Sequence, residues 1–214
     1  MKLFIDTANL EAIQKVADMG LLDGVTTNPT LAAREGMPLD ELYLKIAEIC
    51  DGPVNVEAVS TDADGIIEEA RRFASMSPKF VVKIPTTLEG LKAVNKLSAE
   101  GVKTNCTLCF SANQAILVAK AGADYVSPFI GRLDDIGQDG MKLIEDIVWV
   151  YANYDFNTEV IVASIRHPLH VLDAARLGAH IVTIPPAVID KLVQHPLTDI
   201  GVEKFLADYE KIPK

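Results

Sequence analysis

Cysteine, histidine and basic residues are all scarce in this sequence, and each shortage removes a class of protein. Three cysteines in 214 residues, Cys50, Cys106 and Cys109, are too few and too odd in number for a disulfide framework. A reducing compartment suits them, so the cytoplasm is the expected location. Lys and Arg total 20 against 30 Asp and Glu, a net charge of −10; no basic face is available in bulk to hold nucleic acid or an acidic membrane surface. No window approaches the roughly 18 uninterrupted apolar residues of a membrane-spanning helix. The opening Met1-Lys2-Leu3-Phe4-Ile5-Asp6 breaks at an acid long before a signal peptide's apolar stretch would be complete. Glycine-rich phosphate loops of the dinucleotide or P-loop kind are missing too. What the chain does have is apolar residues, 49% of the total, enough to bury a sizeable core and to exclude disorder as a general description.

Those apolar residues cluster in short β-branched runs separated by longer segments of helical spacing. Eight runs stand out: Leu3 to Thr7, Gly24 to Asn28, Val54 to Val59, Phe80 to Pro85, Lys103 to Leu108, Tyr125 to Ile130, Glu159 to Ile165 and Ile181 to Pro185. Successive starts are 21 to 34 residues apart, room for one strand, one crossover helix and two loops. The intervening segments carry helix signals. Asn9 stands where a helix cap belongs, Pro38 is read as part of a first turn, and Thr87 begins a further helix. Near-continuous Val/Ile runs fit buried parallel strands, and eight βα units predict a closed (β/α)8 TIM barrel, with an open doubly wound sheet as the alternative. No linker or composition shift interrupts the rhythm, so residues 1–214 are expected to form a single domain, with an extra C-terminal helix over residues 198–210 that caps the barrel or grips a neighbouring subunit.

A barrel strand should be apolar, so polar residues near its C-terminal end mark the face where such barrels do chemistry. Asp6, Thr26, Asn28, Glu57, Lys83, Asn105, Thr107, Ser127, Ser164 and Arg166 all fall there. Lys83 lies in Phe80-Val81-Val82-Lys83-Ile84-Pro85, where an inward ammonium would be stripped of water, which favours the neutral, nucleophilic amine. Its bland alternative is a lysine that snorkels to solvent. An amine beside carboxylates can attack a ketone, lose water and leave an iminium, the electron sink that aldol cleavage requires. Asp6 and Glu57 would supply acid and base.

Arg132 and Arg166 follow the sixth and seventh strands, where they could clamp a phosphate, or could form salt bridges with Asp134, Asp135 or Asp173. On a chain of charge −10 two arginines at one face would be a local positive spot for an anionic substrate. Cys106-Thr107-Leu108-Cys109 has the C-x-x-C spacing, yet lacks the strand-to-helix turn or second cysteine pair that redox or metal chemistry uses. Strand alternation accounts for it instead, with Asn105 and Thr107 facing the lumen and Cys106 under the helices. His167 and His170 sit at a helix start with no further ligands to complete a metal shell, and are read as surface or satisfied histidines.

Phe4-Ile5-Asp6-Thr7-Ala8, Gly24-Val25-Thr26-Thr27-Asn28-Pro29-Thr30, Val82-Lys83-Ile84-Pro85, Asn105-Cys106-Thr107, Tyr125-Val126-Ser127-Pro128-Phe129-Ile130-Gly131-Arg132 and Ala163-Ser164-Ile165-Arg166 together resemble the transaldolase family, in its short-chain branch that also holds the fructose-6-phosphate aldolases. The resemblance covers nearly the whole chain. It implies that Lys83 forms a Schiff base with a ketose phosphate and that Asp6 moves the C4 hydroxyl proton. It implies that Glu57 is a second acid/base acting through a water held by Thr107. Thr26, Asn28, Asn105, Ser127 and Phe129 then belong to the substrate site, Asn28, Asn105 and Ser127 holding hydroxyls of the retained dihydroxyacetone unit, and Arg132, Ser164 and Arg166 to the phosphate site. No metal or organic cofactor is implied, and ring-shaped homodecamers built from two pentamers are.

Two positions bear on the branch. Glu57 stands where the fructose-6-phosphate aldolases carry glutamine, and Phe129 where they carry a tyrosine hydroxyl. Both favour transfer, because an apolar ring leaves the enamine unprotonated until an acceptor arrives. The expected reaction moves a dihydroxyacetone unit from sedoheptulose 7-phosphate to glyceraldehyde 3-phosphate, giving erythrose 4-phosphate and fructose 6-phosphate, in the pentose phosphate pathway. The alternatives are an aldolase that releases free dihydroxyacetone and an inactive phosphosugar-binding barrel.

Overall fold

Runs such as Phe80-Val81-Val82 and Glu159-Val160-Ile161-Val162 lack apolar–polar alternation and must be covered on both faces, which a parallel sheet wrapped by helices achieves. The computed structural model describes residues 1–213. In chain order it has β1 (Lys2–Asp6), α1 (Leu10–Asp18), β2 (Gly24–Thr26), α2 (Pro29–Ala32), α3 (Leu39–Ile49), β3 (Val54–Glu57), α4 (Ala63–Met76), β4 (Phe80–Pro85), α5 (Leu88–Ala99) and β5 (Thr104–Cys109). Next come α6 (Ala112–Ala121), β6 (Tyr125–Pro128), α7 (Ile130–Asp134), α8 (Gly140–Asn153), β7 (Glu159–Val162), α9 (Pro168–Arg176), β8 (Ile181–Ile184), α10 (Pro186–Val193) and α11 (Pro196–Tyr209).

The strands pair in sequence order, and β8 returns to β1 in parallel register from Lys2 opposite Ile181 to Ile5 opposite Ile184. That last pairing closes the (β/α)8 barrel and overturns the open-sheet alternative.

Most strands stop earlier than their apolar runs suggest, because local side-chain bonds turn the chain out of the ladder. β2 ends at Thr26 since Asn28 caps α2, its Oδ1 accepting from the Leu31 N–H at 2.9 Å. β6 ends at Pro128 because Ile130 opens the short α7. Beyond β7, Ser164 adopts the left-handed region at φ 63°. Asn9 does cap α1, accepting from the Ala12 N–H at 3.0 Å, and Thr87, read only as a helix start, caps α5 by accepting from the Gly90 N–H at 3.0 Å. Pro38 is the N-cap residue of α3 and not part of its first turn. The terminal helix starts at Pro196, ahead of the predicted Thr198, as proline at the first helical position allows.

Two apolar regions result. The larger lies between strands and helices, where Val56, Val82, Cys106 and Val126 meet Ile46, Ile66, Leu97 and Ile144; each such buried side chain stabilises by about 1.5–3 kcal/mol. The smaller fills the N-terminal end of the lumen with Phe4, Val81, Tyr125, Ile161 and Ile181. Gly24 makes room for it: a Cβ there would fall 2.5 Å from Phe4 Cε1. Plugged below, the lumen is open only above. No residue of α11 is buried. Among the described residues no helix is long and apolar enough to cross a membrane.

Candidate active site

Side chains two apart on a strand share a face, so the residues above the apolar plug are set by register alone. Asp6 lies opposite Thr26, Thr26 opposite Asn55, Glu57 opposite Lys83 and Lys83 opposite Asn105. This is a polar storey within a barrel whose outer strand faces are apolar but for Thr104. Two adjoining cavities of about 210 and 430 Å³ open from it, sharing Asp6, Asn28, Lys83, Phe129 and Arg132 as walls.

Lys83 points into this space with its side chain only 6% exposed, which rules out the snorkelling alternative. Its Nζ donates to Glu57 Oε2 and to the Thr27 carbonyl, both at 2.7 Å. A buried ammonium survives only with such partners. Because Glu57 accepts directly, it can also take the proton and leave an amine.

Asp6 faces the same cavities and accepts from the Thr26 hydroxyl at 2.8 Å. Thr26 and Thr183 hydroxyls are 2.6 Å apart. With its one hydrogen committed to Asp6, Thr26 must accept from Thr183. Burial pushes the Asp6 carboxyl above the ordinary carboxylate value, against the opposing pull of Thr26 and the Lys83 charge and with a smaller push from Glu57. Such a group exchanges protons closer to neutrality than a surface aspartate does.

An amide chain lies beneath. Ser127 Oγ donates to Asn105 Oδ1 at 2.9 Å, Asn105 Nδ2 donates to Asn55 Oδ1 at 2.8 Å, and Asn55 Nδ2 donates to the Val25 carbonyl at 3.1 Å. Asn105 is fully buried and Ser127 reaches the smaller cavity. Thr107 and Leu108 wall the larger cavity, the Thr107 carbonyl accepting from Thr86. Asn28 faces both cavities while capping α2. Asn55 and Thr183 were not among the residues singled out from the sequence. Their signal was there all the same: Asn55 stands between two valines and two residues before Glu57, and Thr183 is the lone polar residue of β8, two residues after the inward-facing Ile181.

The arginines approach from the opposite rim. Arg132 and Arg166 wall the smaller cavity with Ser164 and Phe129. The Arg132 guanidinium carbon lies 5.1 Å from the centre of the Phe129 ring, a cation–π contact. Asp134, Asp135 and Asp173, its alternative partners, face His170, Arg166 and Arg176 instead. The salt-bridge alternative does hold for Arg166, whose Nη2 donates to Asp135 Oδ2 at 2.9 Å. Both groups are more than half exposed, so this pair is exchangeable. Gly131 is obligatory here, since a Cβ would lie 2.3 Å from the Ser164 carbonyl and 2.5 Å from Arg166 Nε.

The cysteine and histidine pairs stand apart from this chemistry. Burial pushes the Cys106 thiol up to about 12 and the Cys109 thiol up to about 11, leaving neither the thiolate that redox or metal chemistry needs. His170 is buried and bonded on both ring nitrogens.

The transaldolase/fructose-6-phosphate aldolase family model matches residues 3–214. The chain belongs to that family. A protein of Anaeromyxobacter sp. (strain Fw109-5) named "Probable transaldolase" is 59% identical over 214 residues, covering 100% of both chains. Transaldolase-named relatives from Aquifex aeolicus (strain VF5) and Desulfotalea psychrophila (strain LSv54 / DSM 12343) are 58% and 60% identical, each over 99% or more of both chains. A solved mandelate oxidase mutant superposes with a TM-score of 0.60 at 16% identity, covering 86% of this chain and 64% of that one. That likeness is one of fold alone. Membership of the transaldolase family implies sugar phosphate substrates.

Proposed function

We propose that this member of the family is a transaldolase working through a Schiff base on Lys83. The observation that carries the reading is the Lys83 amino group, buried in the lumen and bonded to Glu57 at 2.7 Å, with Asp6 beside it. Glu57 takes a proton from the ammonium, and the amine adds to the C2 carbonyl of sedoheptulose 7-phosphate. Proton transfer through Glu57 and a water held by Thr107 releases water from the carbinolamine and leaves the iminium. Asp6 then removes the C4 hydroxyl proton, and the C3–C4 electron pair passes into the iminium. Erythrose 4-phosphate departs and an enamine remains on Lys83. A raised Asp6 carboxyl is the stronger base for this step.

Phe129 offers the enamine no proton, so it waits for glyceraldehyde 3-phosphate. Its C3 attacks that aldehyde, Asp6 returns the proton to the new alkoxide, and hydrolysis of the imine yields fructose 6-phosphate. Asn28 and Ser127 orient the dihydroxyacetone unit, with Asn105 fixing the Ser127 hydroxyl from beneath; Thr26 orients Asp6, and Arg132, Ser164 and Arg166 hold the phosphate. The reading places the chain in the pentose phosphate pathway of the cytoplasm, as a homodecamer of two pentamers. The exposed Phe205, Leu206 and Tyr209 of α11 suit a gripping helix.

The test is borohydride reduction in the presence of fructose 6-phosphate, followed by peptide mass analysis. A secondary amine on Lys83 supports the reading, and wild-type protein that gains no adduct overturns it. Omitting erythrose 4-phosphate separates the activities: turnover of fructose 6-phosphate without that acceptor identifies an aldolase.

A further inference from the structure

The two arginine-bearing segments are joined by a residue that touches neither cavity. His170 lies on α9, buried, with its Nδ1 3.2 Å from the Arg166 backbone nitrogen and its Nε2 3.1 Å from Asp134 Oδ2. An N–H can only be accepted by an unprotonated ring nitrogen, so Nδ1 is the acceptor and the ring proton sits on Nε2, donated to Asp134. Burial and the neighbouring His167 ring, 3.7 Å away centre to centre, favour this neutral imidazole and outweigh the opposite pull of Asp134 and Asp173. Asp134 ends α7, the helix that carries Arg132. One side chain thus bridges the Arg166 backbone to the Arg132 helix.

The bridge has something to hold. Ser164, two residues before Arg166, stands at φ 63°, a conformation costly for a side-chain-bearing residue unless the surroundings over-determine it. The Gly131 N–H donates to the Ser164 carbonyl at 3.1 Å, and His170 fixes the other side of the same loop.

Resting on the phosphate-site reading above, the geometry points to His170 as a positioning residue that holds Arg132 and Arg166 as one anion clamp through its two ring nitrogens. It acts through those arginines and never contacts the sugar.

The test compares two ketones that load the same lysine. Fructose 6-phosphate needs the clamp, and dihydroxyacetone, lacking a phosphate, does not. Borohydride trapping on the full chain measures the half-saturating concentration of each. His170→Phe should raise that for fructose 6-phosphate roughly tenfold, as expected for a lost buried hydrogen bond, and leave that for dihydroxyacetone unchanged. His170→Asn, whose Oδ1 can replace Nδ1 toward Arg166, should recover part of the loss. If His170→Phe fails to fold, His170→Gln, which keeps a donor toward Asp134 but places no acceptor at Nδ1, carries the same expectation. An equal loss for both ketones, or no change for either, overturns the clamp. No adduct in the wild type with either ketone overturns the Schiff-base reading instead.

Discussion

Two ion pairs face the same barrel mouth and differ in depth. Lys83–Glu57 has side chains 6% and 15% exposed; Arg166–Asp135 has 51% and 62%. Their distances, 2.7 and 2.9 Å, are nearly the same. Depth separates them, and so does the cation, since an ammonium can give up its proton and a guanidinium cannot. In the low-dielectric lumen neither charge can be released to water, so a proton passed between lysine and carboxylate is the cheapest response to a ligand. At the rim water screens the pair, and an incoming anion can take the carboxylate's place on the guanidinium.

The sharpest way to break this comparison is to remove the deep lysine. Lys83→Ala should abolish turnover and the borohydride adduct while circular dichroism keeps the barrel signature. Stranding Glu57 should also cost about 3 kcal/mol of stability. Lys83→Met combined with Glu57→Gln should recover most of that loss in a denaturant titration. If the single variant costs no more than loss of a surface pair, the deep pair is not deep in energy.

Asp6→Asn should lower kcat by roughly 10²–10⁴-fold, the usual worth of a positioned acid–base. Its stability should move the other way. Because folding raises the Asp6 carboxyl above 3.8, the wild type loses stability as pH climbs from the unfolded value to the folded one, since only the unfolded chain ionises freely in that window. The variant avoids that penalty. It should therefore unfold at a higher temperature than the wild type near neutral pH, with the advantage vanishing as pH falls below about 4. A constant gap at all pH values would remove burial as the cause.

A smaller change should follow Glu57→Gln with Phe129→Tyr, which adds a phenol beside the enamine. Release of free dihydroxyacetone from fructose 6-phosphate without acceptor should rise, measured by a coupled assay, and unchanged release would remove the branch argument. The least effect belongs to the shallow pair. Asp135→Asn should lower KM for phosphorylated substrates by no more than about fivefold, the scale of an exposed pair, with little shift in unfolding temperature. A KM that rises instead would mean Asp135 orients Arg166 rather than competing for it.

Much of the barrel and its polar face is legible in the sequence. Val82-Lys83-Ile84 places a charge inside an apolar strand, and one-dimensional alternation is enough to say that such a residue is expensive unless used. The same rule would have found Asn55 and Thr183. Strand ends were less legible, because Asn28 as a cap and Ser164 in the left-handed region act through local bonds that an apolar run does not reveal. His170 was read only as a surface or satisfied histidine. Its partners lie on α7 and in the β7–α9 loop, and nothing in its own segment names them.

Strand period and chain order are properties of one dimension, and they were enough to place Asp6, Glu57 and Lys83 on the inner face at one end of the barrel. The pairings came from the folded molecule: Lys83 with Glu57, Arg166 with Asp135, Asn105 with Asn55, and His170 with both Asp134 and Arg166. Charge pairing depends on distance and on the water excluded between groups, and both are fixed only when segments remote in the chain are brought side by side.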